Sequence, residues 1–335
     1  MEQGKIKVVQ YGFGPIGQAC VRAVLKRDSL LLTGVIDVDP EKAGKDISEI
    51  LKLNGKRGIK VQRDAEKVLE EAEPDVVLHT TQSFVPKVFD QISQCVEAGA
   101  HVISSTEELY WPHYRHPELA EKLDLLAQKH SVVILGTGVN PGFVMDTLPI
   151  ALTSQCLEVN KIFATRVVDA SKRRRPLQKK IGAGMTPDDF RVAVELGQLG
   201  HIGLVESLVA IADTLGWKLS RLDETIDPVI AEEQVKTPYL TVEPGQVAGI
   251  KHICRGYVDD EEVLTLDLRM YVGAKEPKDE IIIDGNPPVH AVLPGGIFGD
   301  TATVANLVNA IPRVLHATPG LRSVIDLGVP YAFLK

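Results

Sequence analysis

Residues 5–39 read KIKVVQYGFGPIGQACVRAVLKRDSLLLTGVIDVD. An apolar run (Ile6, Val8, Val9) enters Gly12-Phe13-Gly14-Pro15-Ile16-Gly17. Ala19, Val21, Val24 and Leu25 then recur at helical spacing, and a second apolar run (Leu31, Leu32, Val35, Ile36) ends on Asp37. The order is strand, glycine turn, helix, strand and terminal acid. Each part suits a dinucleotide. Gly12 permits a tight turn, Gly14 lets backbone N–H groups approach a pyrophosphate, and Gly17 lets the helix lie close on the strand. The helix N-terminus, opening with Pro15 and Ile16, offers N–H groups to phosphate. Asp37 stands about twenty residues on, where a carboxylate accepts from ribose hydroxyls and repels a 2′-phosphate. NAD or NADP is therefore expected, with NAD favoured. Lys42 and Lys45 nearby soften that preference.

Strand and helix patterns continue to alternate. Residues 74–79 and 101–104 read as strands, 65–71, 85–98 and 116–129 as helices, and 132–135 as another strand. Such alternation builds a parallel sheet with helices on both faces. Ligands collect at the carboxyl ends of its strands. Those ends carry His79, Thr80 and Thr81, then Thr106 with Glu107 and Glu108, then the loop 136–143 with Asn140. His79, Thr80, Thr81, Thr106 and Asn140 are thus candidates for cofactor contact.

The pattern changes after about Asp146. A strand (161–168) and an interrupted helix (186–215) precede four strand-like runs at 249–257, 263–272, 280–284 and 289–293. This suggests an open mixed sheet with helices on one face. The expected fold is α/β: a Rossmann-type doubly wound parallel sheet plus an α+β domain with an open mixed sheet. Its parts are 1–148, 149–298 and a helical segment 299–335 that packs back on the first domain.

Adjacent acids after an apolar strand leave two readings open. A carboxyl kept from water is suited to acid or base work near neutral pH. An acid there also favours the start of a helix. Residues 136–143 form a turned loop fit either to present backbone groups to a nicotinamide carboxamide or to serve as a crossover. Val139, Phe143, Val144 and Met145 are its candidate substrate-facing residues. The basic run at 172–175 is either a solvated loop or a phosphate contact. His201 is either a structural histidine or faces a cleft.

Composition excludes several classes. A net charge of −8 opposes a nucleic-acid partner. No apolar run approaches the eighteen or so residues of a membrane span, and a strand by Ile6 leaves no room for a signal peptide. The four cysteines are far apart and form no CxxC pair. Reduced thiols in a cytoplasmic protein are expected. The histidines show no ligand spacing, so no metal is expected.

Several segments together resemble one family. They are Gln10 to Gly17, Ser105-Thr106-Glu107-Glu108-Leu109, 136–143, 168–184, Gly200-His201-Ile202-Gly203-Leu204-Val205-Glu206-Ser207-Leu208, and Asn309-Ala310-Ile311-Pro312. The resemblance is to the dihydrodipicolinate reductase superfamily. Within it, the match is fuller to native amine dehydrogenases and 2,4-diaminopentanoate dehydrogenases. True dihydrodipicolinate reductases carry a His-His-rich segment and Asp-Ala-Pro-Ser-Gly-Thr, whereas this chain has Val168-Asp169-Ala170-Ser171-Lys172-Arg173. The resemblance implies NAD(P)-linked oxidative deamination of an amine, or reductive amination of a ketone or aldehyde with ammonia. It implies that a Glu of the Glu-Glu-Leu segment is catalytic, and Glu107, nearer the strand, is the favoured one. A 2,4-diaminopentanoate dehydrogenase is the alternative. Its substrate carboxylate would need a cation such as Arg166 or Arg173. A dihydrodipicolinate reductase-like protein or a non-catalytic nucleotide sensor is the further alternative. A homodimer is expected.

Overall fold

The computed structural model describes residues 4–173 and 175–334. Arg174 of the basic run lies outside them, as do residues 1–3 at the start of the chain. Two compact units result: Met1–Gly142 with Phe298–Lys335, and Phe143–Ile297. Phe143, Val144 and Met145 therefore open the second unit, although their sequence position was counted with the first.

In the first unit the chain runs β1 (Ile6–Tyr11), α1 (Pro15–Val24), β2 (Leu30–Ile36), α2 (Ile47–Leu51), β3 (Val61–Gln62), α3 (Ala65–Ala72) and β4 (Val76–His79). It continues with α4 (Val85–Glu97), β5 (His101–Ser104), α5 (Pro117–Lys129) and β6 (Val133–Gly136). The second unit holds α6 (Thr147–Thr153), β7 (Glu158–Asp169), α7 (Arg175–Lys180), α8 (Pro187–Glu195), α9 (Leu204–Leu215), β8 (Arg221–Ile230), β9 (Val235–Lys236) and β10 (Thr241–Val242). Then come β11 (Val247–Val258), β12 (Glu261–Tyr271), β13 (Lys278–Asn286) and β14 (Val289–Pro294). The chain returns to the first unit as α10 (Gly299–Val314) and β15 (Gly320–Arg322).

The first sheet is ordered β15-β6-β5-β4-β1-β2-β3, and all its pairs are parallel. Its short strands are mainly apolar because helices cover both faces. Val9, Val77, Val102 and Ile134 meet Val88, Ile92, Cys95 and Leu123 in one core. Each large aliphatic side chain buried there contributes roughly 1.5–3 kcal/mol. On the opposite face α1 packs beside α10, which also reaches β4 and β5. Strand order reverses between β1 and β4. Ligands of such sheets bind at this switch, outside the carboxyl ends of the strands.

The second sheet, β14-β13-β7-β12-β11-β8, is mixed, with β7 and β12 parallel. Alternation assigns its faces. Ile162, Ala164, Ile250, Cys254, Leu266, Leu268, Ile281 and Ile283 are buried on one face, where α9 packs against β11 and β12. The other face carries Phe163 and Ile282, cross-strand partners that are 37% and 40% exposed. Among the described residues no helix is long and apolar enough to cross a membrane.

Candidate functional site

The carboxyl ends of β1, β2, β4, β5 and β6 bring most of the sequence-chosen residues to one edge of the first sheet. Gly12 follows β1 with φ +86°, and a Cβ there would lie 2.6 Å from the Thr80 carbonyl oxygen. A Cβ on Gly17 would lie 2.0 Å from the Gly12 carbonyl oxygen. Neither position admits a side chain. Beside Gly14, by contrast, a Cβ would meet nothing within 4 Å. Gly14 caps α1 without a side-chain bond, and Pro15 follows at the first helical position. This is the open, N–H-rich helix end that a phosphate requires. The residues present therefore fit a dinucleotide.

The turn is held from beneath and from the side. Gln10 Nε2 and Thr80 Oγ1 both donate to the Gly12 carbonyl oxygen, each at 2.9 Å. Asp37, after β2, accepts the Phe13 N–H at 2.6 Å through Oδ2 and the Asp39 N–H at 2.8 Å through Oδ1. Asp37 thus organises the glycine turn. Gln10 escaped attention in the sequence, although a polar residue inside an apolar parallel strand is itself a signal.

His79 is fully buried. Its Nε2 donates to Gln91 Oε1 at 2.9 Å, and its Nδ1 lies 2.9 Å from Ser104 Oγ. Thr81 Oγ1 also donates to Gln91 Oε1, at 2.8 Å. Burial pushes the His79 pKa down to about 4. The imidazole is therefore neutral and internal. It ties the ends of β4 and β5 together from an enclosed position. The tie extends through Ser104 to Thr106, whose hydroxyl donates to the Gln82 carbonyl at 2.8 Å.

Glu107 and Glu108 open a 3₁₀ turn, Glu107–Tyr110. Successive side chains on such a turn diverge by about 120°, so the neighbours face different surroundings. Glu108 is 7% exposed. Its Oε2 accepts the Val85 N–H at 2.8 Å and lies 2.8 Å from His116 Nε2. It caps the start of α4. Glu107 is half-buried.

On the next loop Val139 and Asn140 are buried, and Asn306 of α10 donates to the Gly138 carbonyl at 2.7 Å. The late helix therefore shapes the loop after β6.

In the second unit Val144 and Met145 are buried and Phe143 is half-buried. Asp146, which the sequence did not single out, accepts from Ser207 Oγ at 2.8 Å and so joins α6 to α9. Arg166 is 3% exposed and donates to Asp279 Oδ1 and to the Ile297 carbonyl, both at 2.7 Å. The cation considered for a substrate carboxylate is thus committed to an internal acid. Arg173 is buried, whereas Lys172 and Arg175 are exposed, so the basic run is not uniformly a solvated loop. Gln178 secures it by donating to the carbonyls of Ala170, Ser171 and Arg173.

The His201 N–H donates to His252 Nδ1 at 3.2 Å, and His252 Nε2 lies 2.8 Å from Glu224 Oε1. Among the described residues, Glu224, His252 and Cys254 bring potential metal-ligand atoms within 4.8 Å of one another. The hydrogen-bond polarity opposes ligation. Nδ1 accepts a backbone N–H, so Nε2 carries the proton, and a metal-bound histidine needs the reverse arrangement.

A Rossmann-type sheet, a turn with room for phosphate and an acid at the end of β2 define a protein of the dinucleotide-binding class. Residues 6–136 match the family model of the dihydrodipicolinate reductase N-terminus, and residues 143–335 match that of the 2,4-diaminopentanoate dehydrogenase C-terminal domain. The chain is 36% identical to the 2,4-diaminopentanoate dehydrogenase of Acetoanaerobium sticklandii, over 98% of this chain and 95% of that protein. It is 24% identical to the amine dehydrogenase of Streptomyces virginiae, over 96% of each. The solved amine dehydrogenase of Mycobacterium smegmatis shares the fold, with a TM-score of 0.86 at 23% identity, covering 100% of this chain and 98% of that one. This protein belongs to the 2,4-diaminopentanoate dehydrogenase family, and it is an oxidoreductase of the amine dehydrogenase class.

Proposed function

We propose that this enzyme catalyses the reversible NAD-linked oxidative deamination of a small amine, with Glu107 as its acid/base. The net reaction converts amine, NAD⁺ and water to ketone or aldehyde, ammonia, NADH and a proton. The bound nicotinamide supplies the hydride acceptor. The observation that carries the assignment is the division between neighbours. Glu108 is committed to the α4 N-terminus and His116, whereas Glu107, half-buried on the same turn at the end of β5, is assigned to accept the amine proton, stabilise the iminium and direct water. Gly12, Gly14, Pro15, Ile16 and Gly17 hold the pyrophosphate, and Asp37 the ribose. Thr80, Thr81, Thr106 and Asn140 border the remainder, with His79 as a positioning residue. Val139, Phe143, Val144 and Met145 supply apolar surface to the substrate, with His201 farther along the chain.

A 2,4-diamino acid is the second reading, favoured by the 36% identity to a protein of that name. Arg173, buried in the basic run, then meets the substrate carboxylate. A panel of simple amines and 2,4-diaminopentanoate, each with NAD⁺ and NADP⁺, decides between them. Absorbance of reduced coenzyme with simple amines alone supports the first reading. Turnover restricted to the diamino acid supports the second.

We place the enzyme in the cytoplasm as a homodimer. Its cysteines are free thiols. Apolar Phe163, Ile282 and Val292 stand exposed on the outer face of the mixed sheet, a patch suited to a second copy. Sedimentation of the wild type and of Phe163→Asp tests this. A dimer is expected for the first and a monomer for the second. A monomeric wild type would refute it.

A further inference from the structure

Lys42 stands where cofactor choice is made. Its Nζ lies 3.0 Å from Asp39 Oδ2 and 3.2 Å from Asp37 Oδ2, and its side chain is 22% exposed. Burial opposes its charge, but the hydrogen bonds to Asp39 and Asp37 outweigh burial and raise its pKa. The ammonium is therefore always present beside the β2 acid. Asp37 itself has little capacity left. Oδ2 already serves the Phe13 N–H and Lys42, and Oδ1 serves the Asp39 N–H. With two lone-pair sites per oxygen, one site on Oδ1 remains. It suits one ribose hydroxyl. A 2′-phosphate is mostly dianionic at neutral pH and is repelled by the carboxylate instead.

Resting on the dinucleotide reading above, we propose that Lys42 is the residue that discriminates between the two coenzymes: it accompanies Asp37 and Asp39 when NAD is bound, and it turns onto the 2′-phosphate when NADP is bound. The surroundings allow that move. Without Lys42, Asp37 keeps both backbone donors, and Asp39 Oδ1 still accepts the Glu41 N–H at 2.9 Å. No carboxylate is stranded. A lysine on its four-carbon stem carries three rotatable donors and can exchange acceptors at small cost. Lys45, the other cation of this segment, is exposed and influences Asp39 only through space.

The test is fluorescence titration of NADH and NADPH into the full-length protein, as wild type, Lys42→Met, Lys42→Arg and Lys45→Met. Loss of one charge-assisted contact should shift the NADH-to-NADPH affinity ratio of Lys42→Met by roughly tenfold or more toward NADH. Lys42→Arg should restore the wild-type ratio, and Lys45→Met should leave it within about threefold. The salt dependence of NADPH binding should flatten only in Lys42→Met. Equal weakening of both coenzymes would make Lys42 a structural tie and overturn the inference. So would a wild type that binds NADH and ignores NADPH. Failure to bind either coenzyme would remove the dinucleotide reading itself, and this inference with it.

Discussion

The Glu108 carboxylate accepts the backbone N–H of Val85 at 2.8 Å, across 23 residues of sequence. An acid directly beside the favoured catalytic one is therefore a helix cap. Helix N-termini carry unpaired N–H groups and a partial positive charge, and a buried carboxylate placed there satisfies both.

Exchanging the two residues should separate chemistry from stability. Glu107→Gln should fold normally and lose roughly 10²–10⁴-fold in turnover, the range of a general acid/base. Glu108→Ala should lower stability by about 1–3 kcal/mol, because the Val85 N–H and His116 lose their acceptor. Steady-state rates and urea unfolding of each variant measure these. Full turnover in Glu107→Gln would move the role elsewhere.

His79 couples folding to pH. Its pKa falls from the ordinary 6.5 to about 4 on folding. Between those values the unfolded chain binds the extra proton, so stability rises with pH across that window. The contribution is complete above about pH 6.5 and is lost as the pH falls to about 4, a loss of roughly 3 kcal/mol. His79→Asn should unfold with a shallower pH dependence over this range. Parallel curves for both proteins would show that His79 does not govern it.

Much of this architecture was legible in residues 5–39, because a buried parallel strand, a glycine turn and an amphipathic helix each leave a distinct spacing. The gap in the second-unit helix was also visible, α8 and α9 being separated around Gly197 and Gly200. β8 was not. Its sequence, RLDETIDPVI, mixes acids with Pro228 because it is an edge strand, half solvated and free to lack a ladder donor. The partners of the candidate residues were hidden for a different reason. Gln91, His116 and Asp279 reach His79, Glu108 and Arg166 across 12, 8 and 113 residues, and no local pattern encodes such pairings.

Asp37 carries two duties that a single substitution should expose together. Asp37→Ala should shift preference toward NADP by removing the charge that opposes a 2′-phosphate. It should also weaken both coenzymes, since the Phe13 N–H loses the acceptor that holds the glycine turn. Titration of both reduced coenzymes reads the shift and the common loss separately. A shift without the common loss would show that the turn stands without Asp37.

Arg166 distinguishes a structural cation from a substrate-binding one. Its guanidinium and the Asp279 carboxylate are both nearly inaccessible, and Asp279 Oδ2 also accepts the Ile297 N–H at 2.7 Å. Removing one partner strands the other charge, so Arg166→Met alone should cost about 3–5 kcal/mol. Arg166→Met with Asp279→Leu should recover most of that loss, because no buried charge is left. If Arg166 serves structure alone, the double variant should keep the wild-type KM for amine while its melting temperature returns toward normal. A double variant that is stable yet shows a KM raised by roughly tenfold or more for a substrate bearing a carboxylate, and unchanged for a simple amine, would return Arg166 to the substrate site.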